Sequence, residues 1–346
     1  MEEKRKQLNI KDIAKIVGVS AATVSNALSG ERHVKQETKE KVFKAVEKYS
    51  YTPNIIARGL SKKKTGIIGI ILPDINNPFY TEVVKGIDEE AKKRDYLTVV
   101  VSTYYDDEVE IVQLRKLGSM FIDGYIFVGG SCGFEKVVSS IENLKRFVLI
   151  NRYCKNGNFS AVVVDSARSI VKAVDYLYKM GHRSIGYLGW CSQKIIIPDK
   201  KHEGYLEGLK NNNIEVDPGI IFLAEKIILD QYKYGYGSME EYTDRYKKPI
   251  FSALICQTDI IALGAMRAFQ NKGLHVPKDV SILGYGNLHA TRFSNPNITT
   301  INLPKRRMGR IGAAILFDSI QKGAGRRQKV YLNTKVVERE SVKNIN

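Results

Sequence analysis

NIKDIAKIVGVSAATVSNALSG, residues 9–30, is the stretch on which the reading of this chain turns. It reads as two short helices joined by a tight turn. Asn9 stands where it caps the first helix, and Asp12, three residues on, completes a capping-box-like start. Ile13, Ala14 and Val17 give that helix one apolar face. Gly18 supplies its stop, because glycine tolerates the left-handed backbone that a helix end often needs. Ser20 is placed to cap the second helix, whose Val24 and Leu28 fall four apart on a buried side. Its other side offers Ala21, Ala22, Ser25 and Asn26, all small. Such a surface enters a DNA major groove without clashing. The plainer reading is a small helical pair docked on a core.

Working outward, Glu37 to Tyr49 carries Val42, Ala45, Val46 and Tyr49 at helical spacing, a third helix to close a small core over the first two. Lys39, Lys41, Lys44 and Lys48 crowd its outer surface. A domain of about 50 residues buries little surface and is only marginally stable alone. Tyr51, Thr52 and Pro53 then break the pattern. In the following NIIARGLSKKKTG, Asn54 can cap a helix of about two turns holding Ala57 and Leu60, too short to persist unaided. Gly59 weakens it further. Leu60 beside Arg58 and Lys62 to Lys64 suits an apolar wedge in a minor groove with cations on the phosphates. A plain linker with one incidental leucine is the alternative.

Charge agrees with a polyanionic partner for this end of the chain. Of a formal net charge of +17, residues 1–64 carry +8 and the other 282 residues +9, so charge is densest at the N-terminus. A solvated basic face is the alternative. The opening MEEKRKQLN has no apolar core and is not read as a signal peptide. Apolar runs such as Ile67 to Leu72 are too short to span a membrane. A cytoplasmic protein, bound to the nucleoid when on DNA, is expected. Cys132, Cys154, Cys191 and Cys256 are scattered, which speaks against a zinc site or a disulfide framework. His33, His182, His202, His275 and His289 lack metal-ligand spacing. There is no Gly-x-Ser-x-Gly turn and no dinucleotide fingerprint. An enzyme is therefore not expected, nor any cofactor or metal.

From Gly66 the pattern changes to short β-branched runs alternating with helical segments. GIIGIILP, LTVVVST, YIFVG, RFVLI, AVVVD, SIGYLGW, SALICQ and VSILGYG read as strands. Helices are expected at Glu82–Arg94, Glu108–Leu117, Ser169–Met180, Glu203–Asn211, Met239–Tyr246 and Ile260–Lys272. Continuous apolar strands between helices imply parallel sheets covered on both faces. About a dozen strands are too many for one small sheet, so two doubly wound lobes are expected, with a ligand cleft between them at the carboxyl ends of the strands. The run Lys305-Arg306-Arg307 opens a helix, where the helix dipole does not favour cations. It is read as a solvated helix end in preference to a surface for an acidic partner.

Asn9 to Gly30, followed by Tyr51-Thr52-Pro53-Asn54 and Ala57-Arg58-Gly59-Leu60, resembles the lactose/galactose-repressor family of bacterial transcription regulators. In the core, Asn77-Pro78-Phe79-Tyr80, Asp259 with Ile260 to Ala265, and Thr299-Thr300-Ile301 extend the resemblance over nearly the whole chain. The resemblance implies an all-α helix-turn-helix head at 1–50, a hinge at 51–64, and a periplasmic-binding-protein-like α/β core at 65–346. Within the core, lobe 1 takes about 65–163 plus 292–325, and lobe 2 about 164–291 plus 326–346. It also implies a homodimer repressing from a roughly palindromic double-stranded operator, gated by a small ligand.

By motif position, Asn9 belongs to the DNA-facing set. Ser20, Thr23 and Ser25 hold phosphates, while Ala21, Ala22 and Asn26 face bases. His33, Tyr51 and Asn54 add backbone contacts, and Leu60 is the wedge with Ala57 beside it. Two alanines allow only apolar contact, for instance with thymine methyls, which leaves specificity to Asn26 and to the DNA kink. The effector set is Phe79, Asp165, Trp190, Lys201, Thr258, Asp259 and Gly286. Several of these depart from the family pattern. Lys201 stands where the family has arginine, Gly286 where it has aspartate, Thr258 where it has asparagine, and Ser166 follows the retained Asp165. Lysine is a point donor and glycine no acceptor, which argues against gripping an ordinary sugar by paired hydrogen bonds. The effector class stays open between a sugar and an anion. Phe79, Trp190 and Tyr285 offer rings for stacking; the motif position of Phe79 favours the cleft, whereas Trp190 and Tyr285 read more readily as core. The other readings weighed are a regulator with a vestigial cleft controlled by a partner protein, and a lone secreted binding protein.

Overall fold

A computed structural model describes residues 8–29, 34–51, 64–130, 134–141, 146–152, 159–190, 200–323 and 327–346. The chain divides into two units, Met1–Thr65 and Gly66–Asn346. The expected contacts His33, Asn54, Ala57 and Leu60, and the thiols Cys132, Cys154 and Cys191, lie outside the described residues.

The first unit contains α1 (Ile10–Val17), α2 (Ala21–Ser29) and α3 (Gln36–Lys48). Ile13, Ala14, Val24, Ala27, Val42 and Ala45 form its buried centre. Ala27 takes the innermost place that the four-residue spacing assigned to Leu28, which packs at the edge with Val17, Val46 and Tyr51.

The second unit is built on two six-stranded sheets. The first joins β1 (Ile67–Leu72), β2 (Leu97–Ser102), β3 (Gly124–Val128), β4 (Phe147–Ile150), β5 (Ser160–Val164) and β11 (Lys329–Leu332), in the order β11-β5-β4-β3-β1-β2. The second joins β6 (Ile185–Trp190), β7 (Ile221–Ala224), β8 (Ala253–Cys256), β9 (Ser281–Gly286), β10 (Thr299–Asn302) and β12 (Lys335–Val337), in the order β12-β10-β9-β8-β6-β7. Every pairing is parallel except β10 with β12.

Helices cover both faces of each sheet, as continuous apolar strands require. On the first sheet, Ile68, Ile70 and Leu72 face α4 (Pro78–Lys92) and α11 (Lys305–Lys322). Ile71, Tyr125 and Phe127 point the other way, toward α5 (Asp107–Ser119) and α6 (Phe134–Ser139). On the second sheet, Tyr187 and Ile255 pack against α7 (Ser166–Lys179) and α8 (Lys200–Asn211). Leu188 and Leu254 pack against α9 (Gln231–Tyr246) and α10 (Asp259–Asn271). Helices α4 and α11 cross in backbone contact. A Cβ on Gly86 would lie 2.1 Å from the Arg306 carbonyl oxygen, and one on Gly309 2.1 Å from that of Val83.

The crossings between lobes differ from the expected boundaries. Thr299–Asn302 pairs in parallel with β9 and so belongs to the second sheet, not to lobe 1. Lys329–Leu332 pairs with β5 and belongs to the first sheet, not to lobe 2. All six expected helices start earlier than periodicity suggested, and α4, α7 and α9 each gain three or more residues behind a capping side chain. Asn77 accepts from Phe79 N–H ahead of Pro78, Asp165 from Arg168 N–H, and Asp230 from Lys233 N–H. In α9, Gly235 and Gly237 had masked the helical pattern of its first turns.

Candidate nucleic-acid interface and inter-lobe cleft

The head is held by its caps. Asn9 Oδ1 accepts from Lys11 N–H at 2.9 Å and Asp12 N–H at 3.2 Å, while Asp12 Oδ2 accepts from Asn9 N–H at 2.9 Å. Gly18, at φ 74°, turns the chain out of α1, and Val19 N–H returns to the Ala14 carbonyl at 3.0 Å. Ser20 Oγ then accepts from Thr23 N–H at 3.0 Å and bonds the Thr23 hydroxyl at 2.9 Å. Ser20 and Thr23 thus begin α2 together, and their hydroxyls sit at its positive end. Ala22 is exposed, and Ser25 and Asn26 are half-buried. Ala21 packs partly against the head's own core, so it offers less surface than its position in the motif suggested. Tyr51 N–H donates to the Val46 carbonyl at 2.9 Å, which ties the start of the linker to α3. Burial raises the Tyr51 phenol's pKa.

In the second unit a cavity of about 590 Å³, including space open to solvent, lies between the sheets at the carboxyl ends of their strands. Of the residues assigned to the effector set, Phe79, Trp190, Lys201, Thr258 and Gly286 line it. Lys201 Nζ donates to the Gln257 carbonyl at 3.2 Å and lies 4.5 Å from the centre of the Tyr285 ring. That ring is therefore held against a cation on the cleft wall. Thr258 caps α10 and donates its hydroxyl to Gln231 Oε1 at 2.8 Å.

Asp165 and Asp259 are not among the lining residues. Asp165 is exposed and caps α7. Asp259 is fully buried under the cleft floor, where Leu288 N–H and the Thr300 hydroxyl each donate to it at 2.6 Å. Burial pushes its carboxyl pKa up to about 6, against the opposing pull of those two donors and of Lys305 and Arg339. A Cβ on Gly284 would lie 2.3 Å from Asp259 Oδ1. Glycine there admits the carboxylate beneath β9.

Asn77 comes from the Asn77-Pro78-Phe79-Tyr80 motif, while Tyr105, Asn151, Gln231 and Leu288 had no sequence signal. Tyr80 and Tyr105 join hydroxyls at 3.0 Å on the first lobe's wall. Next to Asn151, Arg152 grips Glu110 in two bonds of 2.6 and 3.0 Å, with both side chains 2% exposed. The Phe134 ring covers its guanidinium at 4.5 Å. This buried pair, unread in the sequence, stiffens the lobe behind the cleft.

Lys305 corrects the reading of the Lys305-Arg306-Arg307 run. It is buried, and its ammonium donates to the Gly286 carbonyl and, at 3.1 Å, to that of Asn287. Only Arg306 and Arg307 are exposed, and Arg306 and Arg310 both pair with Glu89 on α4. The helix start is cationic because its first residue bridges to the other lobe. Burial lowers the Lys305 pKa, Asp259 and Glu82 oppose this, and Arg292 adds to it. Among the described residues no helix is long and apolar enough to cross a membrane, and no cluster of metal-binding side chains occurs.

Comparison with known proteins finds two matching family models. Residues 9–54 match "Bacterial regulatory proteins, lacI family", and residues 174–342 match "Periplasmic binding protein-like domain". The chain is 31% identical to the HTH-type transcriptional regulator RegA of Clostridium saccharobutylicum over 96% of this chain and 98% of that one. It is 30% identical to the HTH-type transcriptional repressor CytR of Escherichia coli K12, over 90% of this chain and 89% of that one. Its fold matches the crystal structure of the lac repressor dimer bound to operator and the anti-inducer ONPF. The TM-score is 0.82 at 22% identity, covering 98% of this chain and 100% of that one.

Proposed function

The chain belongs to the lacI family of bacterial regulatory proteins, and we propose that it represses transcription as a homodimer on a two-fold related operator, released or engaged by a small ligand in the inter-lobe cleft. The observation that carries the DNA-reading assignment is α2 itself. Ser20 and Thr23 pin its start, while Ala22, Ser25 and Asn26 form a low outer surface on a helix whose other side is the head's core. In the proposed complex Asn9, Ser20, Thr23, Ser25 and Tyr51 position the head on phosphates. Ala22 and Asn26 meet base edges, with Ala21 at the margin. His33, Asn54 and Ala57 add to this footprint, and Leu60 wedges the minor groove.

The effector is read by Phe79 and Trp190 as ring contacts and by Lys201, Thr258 and Gln231 as polar contacts. The Gly286 backbone lies at the wall, and Asp259 acts from below by fixing the Leu288 segment. Asp165 shapes the start of α7 and does not touch ligand. Ligand binding changes the angle between lobes, and residues 51–64 carry that change to the paired heads. Cleft occupancy and operator affinity are then coupled in both directions.

The test is equilibrium binding of the full-length protein to promoter fragments from its own locus, followed by fluorescence anisotropy. A specific fragment is expected to bind far better than a scrambled one, with an affinity that falls steeply as salt is added. Equal, salt-insensitive binding to both fragments contradicts the assignment.

A further inference from the structure

A second cavity, of about 1210 Å³ including space open to solvent, adjoins the first across Leu288 and Leu303, which line both. One wall is the start of α4 and of α11, and the other is the segment from Asn287 to Arg292. The two walls thus belong to different lobes. Its lining holds Lys85, Arg292, Lys305, Arg306 and Arg307, against the single carboxylate of Glu82. Glu82 is taken by Lys85 at 2.6 Å, and Arg306 pairs with Glu89. Arg292 and Arg307 are exposed and make no ion pair among the described residues. Burial lowers the pKa of both Lys305 and Arg339, and the neighbouring Arg292 charge lowers them further. The first turn of α11 has no side-chain cap, and its residues line the same opening. Helix dipole and side chains add to one positive field there.

We propose that this cavity is a second ligand site, distinct from the effector cleft, which takes a small multivalent phosphate between Arg292 of one lobe and Arg307 of the other. A single charge cannot answer cations on two facing walls, whereas a diphosphate presents an acceptor group to each. Guanidinium forks suit phosphate oxygens in paired hydrogen bonds. A ligand spanning both walls holds the lobes at one angle, so its occupancy is linked to that of the cleft. None of this depends on what the cleft binds.

Calorimetric titration of the full-length protein with inorganic pyrophosphate, at fixed ionic strength, tests the site. Orthophosphate and sulfate serve as comparisons. One pyrophosphate per chain is expected, bound more tightly than either comparison ion. Arg292→Gln or Arg307→Gln should each weaken it about tenfold or more. Both residues are exposed, and unchanged melting temperatures confirm that the variants fold. A head variant, Lys39→Gln with Lys44→Gln, should leave the titration unchanged, which separates this site from the DNA-binding surface. Pyrophosphate that binds no better than sulfate, or as well to both arginine variants as to the parent, overturns the proposal. So does a poly-glutamate peptide that binds at these arginines where pyrophosphate does not.

Discussion

The ammonium of Lys305, in the first turn of a helix of one lobe, donates at 3.1 Å to the backbone carbonyl of Asn287, at the end of a strand of the other. A second bond from the same nitrogen reaches the Gly286 carbonyl. One side chain thereby joins the two lobes beside the cleft. Lys305→Met should leave both carbonyls short of a donor at a cost of about 1–3 kcal/mol. Thermal unfolding of the full chain is expected to show the loss, at about 2–4 °C per kcal/mol for a domain of this general size. An unchanged melting temperature would mean that the bridge contributes nothing to holding the lobes.

Asp259 gives the core a pH dependence of definite sign. Its carboxyl ordinarily titrates near 3.8 and is raised to about 6 in the folded protein. The folded state therefore holds this proton more tightly than the unfolded state. The associated stability is complete below about pH 4 and is lost as pH rises through about 6. Comparing the protein with its Asp259→Asn variant isolates this contribution, because all other groups titrate in both. The stability difference between the two should shift in favour of Asn as pH rises from about 4 to about 7. A difference that does not vary with pH would show that the carboxyl titrates normally.

The single tryptophan of the chain, Trp190, lines the cleft. Its emission is therefore a direct reporter of cleft occupancy. A screen of sugars, nucleosides and anions should yield a ligand that shifts or quenches it. Lys201→Ala should weaken that ligand by about 1.5–3 kcal/mol if an anion meets the ammonium, and by less if the ligand is neutral. Fluorescence titration measures both. An effector that binds without altering Trp190 emission would place the ligand elsewhere.

Much of this architecture is legible from residue patterns, and the exceptions share a cause. Runs such as IIGIIL and SILGYG announce strands because both of their faces are buried. Asn9, Gly18 and Ser20 announce the head because caps are local chemistry. Lys305 misleads because a cation at a helix start is disfavoured locally, and the carbonyls that reward it are 18 and 19 residues away. Thr299 to Asn302 falls in the lobe opposite to the expected one because strand pairing, not sequence order, decides membership. Gln231, Tyr105 and Asn151 gain their place at the cleft only when distant strand ends converge. Asp259 keeps its motif position but turns beneath the floor, where Gly284 leaves room for it.

The most direct test of the DNA-reading role is selection of binding sites from a random pool of duplex DNA by the full-length protein, alongside its Asn26→Ala variant. The expected outcome for the parent is a consensus of two inverted half-sites, as a two-fold symmetric dimer requires. The variant should relax preference at one symmetric pair of positions, by about 1–3 kcal/mol for the favoured base. Recovery of no consensus, or of the same one at every position with Asn26 replaced, would contradict the reading of α2 as the helix that selects the operator.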